Sequence, residues 1–292
     1  MSSEQIPSFS DYLKAWPQYL MPGHLLSLGM LGLTRVRHTG FKNAFTDFFI
    51  RRFHIDMSQA AESDPHGYAD FNSFFTRALK PGMRPVDMAS EAVCSPVDGT
   101  VSQIGTIEDG RVFQAKGHDF SVLELLGGSA QRAEPFLGGR FTTIYLSPRD
   151  YHRIHMPVSG TLRCMVHIPG RLFSVNPATT RVIPRLFARN ERVAAIFDTE
   201  LGPMAVVMVG AVFVGSIETV WQGVVTPPAG KIVRTWHYDE GSALRFDKGD
   251  EIGRFNMGST VVLLFGRDAL AWEAGLEAHV PVVMGQRVGT RL

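Results

Sequence analysis

Cysteine is scarce in this chain: two among 292 residues, Cys94 and Cys164. They stand alone, with no Cys-x-x-Cys and no metal-ligand spacing. That excludes a disulfide scaffold and suits a reducing compartment holding two buried thiols. Net charge is nearly absent too. The balance of 29 basic against 28 acidic residues gives +1, so electrostatics make no general case for nucleic acid as a partner. No repeat, low-complexity segment or long linker is visible, and 45% apolar with 20% charged residues is the composition of a folded protein. His-Glu-x-x-His is missing, which weakens zinc. Gly-x-Ser-x-Gly is missing, which weakens an α/β-hydrolase. The start has no basic n-region, and prolines at 7, 17 and 22 break its apolar stretch, so no secretory signal is expected. The uncharged run between Lys14 and Arg35 has roughly the 20 residues of a bilayer span. Its prolines, glycines, Gln18 and His24 make contact with a membrane surface the better expectation than crossing.

What is present divides at about residue 80. Phe41, Ala44, Phe45, Phe48, Phe49, Arg52 and Phe53 follow the i, i+3, i+4, i+7 rhythm of an amphipathic helix. A second, short helix is expected from about Asn72, with Phe71, Phe74, Phe75, Ala78 and Leu79 on one side and a stop before Pro81-Gly82. Between Tyr12 and His54 stand six Lys/Arg (Lys14, Arg35, Arg37, Lys42, Arg51, Arg52) against one acid, Asp47. Basic charge beside Trp16, Leu20, Leu25 and Leu28 favours a helix lying in a membrane interface over the alternative, a helical layer packed on its own core. After Pro85 the texture turns to short β patterns, including residues 140–146 and the apolar run from Met204 to Ile217. Turns are marked by Asp98-Gly99, Asp109-Gly110 and Pro169-Gly170. The expected class is α+β: a helical membrane-interface region over 1–80, then a mostly antiparallel barrel or sandwich over 81–292.

Three segments carry candidate chemistry. In Ser95-Pro-Val-Asp-Gly-Thr100, Asp98-Gly99 reads as a hairpin turn, or Asp98 reads as a carboxylate that orients a histidine. Residues 146–157 hold His152 and His155 among Arg, Asp and Tyr, bounded by prolines. Such a density of acid–base groups fits catalysis, and the His-x-x-His spacing keeps a metal as a minor alternative. Gly258-Ser259-Thr260 opens a buried-strand pattern, Val261 to Phe265. A serine fixed there, after an uncrowded glycine, is placed to attack the preceding carbonyl and break the chain at 258/259. On its own the motif reads more plainly as a strand start. Asp98, His155 and Ser259 together supply an orienter, a base and a nucleophile, although spacing does not show that they meet.

Taken in order, residues 95–100, 114–118 (Gln-Ala-Lys-Gly-His), 146–157, 172–177 (Leu-Phe-Ser-Val-Asn-Pro), 186–193, 214–221 and 253–260 resemble the bacterial, short-type (prokaryotic type I) phosphatidylserine decarboxylase family, which is pyruvoyl-dependent. One departure is Met257, where the family commonly has leucine before Gly-Ser-Thr; the swap nearly conserves volume. The resemblance implies that His155 takes the Ser259 hydroxyl proton while Asp98 holds its imidazole. The ester formed at Gly258 then eliminates, and the dehydroalanine hydrolyses to a pyruvoyl group. It implies a β chain of 1–258 and an α chain of 259–292, joined as a heterodimer, with relatives pointing to a dimer of such units. The pyruvoyl group takes the amine of phosphatidylserine as a Schiff base, CO2 leaves, and phosphatidylethanolamine is released. His152 and His155 are both candidates for returning the proton, and His152 is also a candidate for contacting the phosphate or carboxylate. The implied partner is an anionic membrane surface, met peripherally on the cytoplasmic side of the cell membrane.

Two rival readings use the same letters. A Ser/His/Asp lipid hydrolase keeps its serine and an uncut chain. A non-enzymatic peripheral membrane protein turns the histidine and serine segments into core and turn pieces.

Overall fold

The computed structural model describes residues 7–213, 216–227, 230–257 and 260–292. Four helices come first: α1 (Phe9–Ala15), α2 (Gly23–Thr34), α3 (Thr39–Phe53) and α4 (Phe71–Phe75). A capping box starts α1: the Ser8 hydroxyl accepts from the Asp11 N–H, and the Asp11 carboxylate accepts from the Ser8 N–H. His54, in the left-handed region at φ 54°, ends α3. The expected helix over 41–53 is therefore present. The second is shorter than its apolar spacing implied. It ends at Phe75, the Thr76 hydroxyl bonds back to the Asn72 carbonyl, and Leu79 leaves to bridge Ala60.

Phe49, Phe71, Phe74 and Phe75 are buried together, and Phe45, Phe53 and Met257 pack on them. Burying an aromatic ring of this size contributes about 1.5–3 kcal/mol, so this cluster holds α3 and α4 together, with Met257 reaching in from the β part. The helices are not a separate layer. Arg181, on the short helix Pro177–Val182, donates to both carboxylate oxygens of Asp11 at 3.1 and 3.0 Å, and Ala15 is fully buried in the main core.

The β part is built on a nine-stranded antiparallel sheet. Its order is Arg234–His237, Gly160–Ile168, Arg192–Thr199, Gly202–Val209, Thr260–Phe265, Arg140–Tyr145, Gly99–Thr106 and Pro281–Val282, with Leu244–Phe246 also pairing to Gly160–Ile168. Alternate residues face opposite ways, and both faces are buried. Val193, Ala195, Phe197, Val206, Val261 and Leu263 belong to one apolar layer; Ala194, Ile196, Val207, Val262 and Leu264 belong to the other. This explains why the strands read as continuous apolar runs. Short helices and the hairpin of Arg111–Ala115 with His118–Ser121 pack into the second layer. Two small sheets pack into the first, one containing Glu251–Phe255 and Arg153–His155, the other Ala92–Cys94 and Arg287–Arg291.

The expected α+β class with antiparallel strands is present, but no barrel closes among the described strands: Arg234–His237 and Pro281–Val282 are separate edges. A layer on each face buries this sheet, so closure is not needed to hide it. The expected hairpin at Asp98-Gly99 is also absent. Ala92–Cys94 pairs with Arg287–Arg291, whereas Gly99–Thr106 pairs with Arg140–Tyr145 and Pro281–Val282. At Asp109-Gly110 the turn does form, with φ 48° and 71° and a bridge between Glu108 and Arg111.

No described helix is long and apolar enough to cross a membrane. The N-terminal helices nevertheless present Phe9, Leu13, Trp16, Leu20, Leu25 and Leu28 to solvent, Leu20 at 91% exposure. Of the six basic residues read from the sequence, Lys42 is not at the surface; its ammonium is buried and donates to the carbonyls of His66 and Tyr68 at 2.7 and 2.6 Å.

Candidate active site

Gly258 and Ser259 lie outside the described residues, so the site is located by what flanks them. Thr260 begins the central strand, fully buried, paired to Tyr145 on one side and Val209 on the other. Met257 has φ 110°, a conformation that side chains with a Cβ rarely adopt and that costs on the order of 1–3 kcal/mol. Asn256 holds the segment from the other side. Its amide donates to Ser216 Oγ, and its Oδ1 accepts from Asn72 of α4 at 3.0 Å. The Gly258-Ser259 bond is thus bounded by a strained residue and a rigid strand.

His152 stands beside this segment. Its own carbonyl accepts the Phe255 N–H, and its ring lies 4.2 Å from that of Phe75. The Asp150 carbonyl, 2.7 Å from Nδ1, can only accept, so Nδ1 carries the proton and Nε2 is a bare lone pair. That Nε2 is buried without a partner among the described residues. Burial pushes the His152 pKa down to about 3, with the nearby Arg77 charge acting in the same direction, so the ring is neutral at pH 7.

His155 is held at both nitrogens. The Gly249 carbonyl takes the Nδ1 proton at 2.7 Å, and Nε2 lies 3.0 Å from the Tyr151 hydroxyl. Burial raises the Tyr151 pKa to about 12, so Tyr151 stays protonated and donates to Nε2. Burial also lowers the His155 pKa. This corrects one expectation: Asp98 does not hold the His155 imidazole. Its carboxylate is clasped by Arg84, with Nε at 2.8 and 3.0 Å and Nη2 closer still, and Oδ1 also accepts the Met284 N–H at 2.8 Å. A planar guanidinium fork outcompetes a neutral imidazole for a carboxylate. Asp98 stays in the neighbourhood by another route, because the Pro96 carbonyl, two residues before it, accepts the His155 N–H at 2.9 Å.

Two residues of this region escaped the sequence reading, Arg77 and Arg84, and Tyr151 was read only as part of its segment. Arg77, just past α4, is buried, and the nearest signal was the Phe-rich run before it. Two matched motifs are structural. Gln114 is fully buried, donating to the Thr180 and Ile183 carbonyls and accepting from the Leu186 N–H. Asn190 likewise fastens Phe173 and Gly210. A cavity of about 380 Å³ opens on the other face of the sheet, beside Thr100 and Tyr145, the register neighbours of each other and, through Tyr145, of Thr260. Val101, Phe113 and Val175 give it apolar walls, and Lys116 and Arg181 give it positive charge.

A protein-family model described as phosphatidylserine decarboxylase matches residues 71–290, and a second, described as PSD, matches 13–54. Among curated proteins, the chain is 59% identical over 273 residues to the phosphatidylserine decarboxylase proenzyme of Pseudomonas fluorescens strain Pf0-1, covering 92% of this chain and 94% of that one. It is 60% identical over 275 residues to the proenzyme of strain SBW25 of the same species, covering 93% and 95%. With the proenzyme of Shewanella baltica strain OS155 it shares 56% identity over 279 residues, covering 94% and 96%.

Proposed function

The chain belongs to the phosphatidylserine decarboxylase family, a carboxy-lyase that turns phosphatidylserine into phosphatidylethanolamine and CO2, and we propose that its electrophile is a pyruvoyl group made from Ser259 after cleavage at Gly258-Ser259. The observation that carries this reading is the match to proenzymes over more than nine-tenths of the chain. The strained Met257 and the clamped Thr260 on either side of the bond support it. In-line attack on an uncrowded glycine carbonyl calls for fixed ends of this kind.

For the cut, His155 is the base that takes the Ser259 hydroxyl proton. Its Nε2 lone pair points at Tyr151, so the tyrosine hydroxyl must yield that lone pair, or pass the proton on, as the serine approaches. Asp98 supports His155 through the 96–98 backbone and through its charge, not through the ring. The fragments are 1–258 and 259–292; they remain together as a heterodimer, and we extend this to a dimer of such pairs.

For decarboxylation, the pyruvoyl carbonyl supplies a sink for the electron pair released as CO2 leaves. We assign the lipid head group to His152, a reading supported by its Nε2, which has no partner among the described residues, whereas both His155 nitrogens are bonded. A neutral ring at pH 7 accepts hydrogen bonds and relays a proton without adding charge to the site. The exposed apolar side chains of α1 and α2, with Lys14, Arg35, Arg37, Arg51 and Arg52, support docking on the cytoplasmic face of the cell membrane as a peripheral protein.

Denaturing mass spectrometry of an active preparation tests the reading, with two chains expected, the smaller starting at position 259 with a blocked end. A single 32.3 kDa chain that decarboxylates phosphatidylserine would overturn it.

A further inference from the structure

Arg77 is a buried cation that forms no ion pair with an acid among the described residues, although Asp98, Asp150 and Asp56 act on it from a distance. Its side chain follows α4, the residue is 4% exposed, and its Cζ sits 5.6 Å from the Phe74 ring centroid. One nitrogen, Nη2, donates to the Arg149 carbonyl at 3.3 Å. The other two, Nε and Nη1, are buried with no partner among the described residues.

The acids of the region are already taken. Asp98 is clasped by Arg84. Asp150 accepts from the Ser147 N–H and hydroxyl, and its other oxygen faces Arg149. Glu251 is shared by Arg153 and Arg254. Asp56 accepts from Ser58 and Gln59. A guanidinium does not escape burial by losing its proton at neutral pH, and a buried charge without a counterion is unfavourable unless some ligand supplies one.

The open nitrogens have company. Among the described residues, His152, whose protonation the Arg77 charge opposes, has an open Nε2, and Asn72, one residue into α4, has an unpartnered Oδ1. Asn72 is bonded to Asn256, in the segment that runs to the cut. Unpartnered donor and acceptor atoms thus lie on α4, on the residue just past it and on His152, whose segment and α4 are both bonded to residues 255–256 before the cut, whereas native proteins leave few buried polar groups unsatisfied.

We propose that Arg77 binds the phosphodiester of the phospholipid head group and so places its amine at the reacting carbonyl. This rests on the decarboxylase reading above. Of the two anions on phosphatidylserine, the carboxylate gives up its charge as CO2 departs. A cation bound to it stabilises the ground state more than the transition state and slows the reaction. The phosphodiester keeps its charge throughout, so a cation on it lowers KM without that penalty. Four bonds separate the phosphorus from the amine nitrogen, which keeps the anion close to the reacting centre.

The test uses the full-length enzyme with phosphatidylserine in mixed micelles. Arg77→Gln is expected to cleave into the same two chains as the parent, to raise KM about tenfold or more, and to change kcat by less than about threefold. Arg77→Lys restores part of the KM. Inhibition by soluble glycerophosphoethanolamine weakens in parallel with KM, while inhibition by free ethanolamine does not change. Unchanged KM and unchanged glycerophosphoethanolamine inhibition overturn the proposal. Loss of self-cleavage also overturns it, by placing Arg77 in processing or in the fold. If Arg77→Gln does not fold, Arg77→Lys decides: the same parallel weakening supports the proposal, and parental values refute it. A parent protein that neither cleaves nor decarboxylates defeats the decarboxylase reading itself, which is a distinct result.

Discussion

The ring of His152 lies 4.2 Å from that of Phe75, so α4, in the N-terminal part, packs directly on a histidine of the β part. Between Phe75 and the Asp150 carbonyl the histidine is fully buried, yet one nitrogen stays open. This relation links acid stability to catalysis. The folded state holds His152 at about 3, well below the 6.5 of a free histidine. Below pH 6.5 the unfolded chain binds a proton that the folded chain refuses, so stability is full above that pH and falls as pH drops toward 3. In an uncut Ser259→Ala background, thermal melts between pH 7 and 4 should show this fall, and adding His152→Gln should flatten it by up to about 1 kcal/mol per pH unit. Parallel melting curves for the two proteins would count against the buried, neutral histidine.

His152→Gln in the otherwise native chain separates the two reactions. It should still yield both fragments, because the base proposed for the cut is His155, but turnover should drop by about 100-fold or more, the scale of a lost general acid. Fragment yield is read on a denaturing gel and turnover by CO2 release. Loss of cleavage with this variant would reverse the assignment of the two histidines.

Arg84 and Asp98 form a mostly buried pair, with side chains 15% and 8% exposed. Arg84→Met leaves the Asp98 carboxylate with the Met284 N–H but no cation, so stability should fall by roughly 3 kcal/mol. Asp98→Ala removes the hold on Arg84 and Met284 and should slow the cut as well. Urea unfolding of the uncut protein gives the first quantity and the time course of fragment appearance the second. A stability change under about 0.5 kcal/mol for Arg84→Met would mean the pair contributes little.

Tyr151 occupies the His155 Nε2 lone pair that the proposed proton transfer from Ser259 would use. Tyr151→Phe should cut at least as fast as the parent if the hydroxyl only yields, whereas His155→Ala should stay uncut. A pulse-labelled precursor followed over time distinguishes these. A slowing of tenfold or more in Tyr151→Phe would make the hydroxyl an obligatory relay.

Membrane docking is best tested at side chains that carry no core. Removing the first 55 residues would strip Ala15 and Phe49 from the interior, so any loss of liposome binding could come from unfolding. Leu20→Ser with Leu25→Ser changes only exposed positions, at 91% and 68%. Each loses about 1.5–3 kcal/mol of possible burial in the interface, so binding to anionic liposomes should weaken by more than tenfold. Cosedimentation measures it. Unaltered cosedimentation would remove α1 and α2 from the docking surface.

Where local pattern carries the information, the sequence was legible. Phenylalanines spaced for a helix gave α3, and the unbroken apolar run after Ser259 gave a strand buried on both faces. Of the two histidines of one short segment, His152 bonds to Phe255, two residues before Met257, while His155 is held by Gly249 and Tyr151. What was not legible depends on partners without a signature. The group that orients His155 is a backbone carbonyl, Gly249, and any residue type would provide it. Arg84 lies in an irregular stretch where no periodicity marks it as the Asp98 partner. Asp98-Gly99 carries the letters of a hairpin, but its strand pairs with Arg140–Tyr145 and Pro281–Val282, and such long-range pairings are set by packing rather than by the turn.

The strand that begins at Thr260 is flanked by Gly202–Val209 and Arg140–Tyr145, with further strands beyond each. A cut just before it hands the middle of the sheet to the shorter fragment. Folding of the precursor is a single-chain event, independent of concentration. After the cut, full unfolding is also dissociation, and recovery requires two polypeptides to find each other at whatever dilution prevails. The mature protein therefore inherits its architecture from a precursor. Its persistence is a matter of how slowly the sheet opens, and refolding after denaturation should depend on fragment concentration in a way that the uncut Ser259→Ala chain does not.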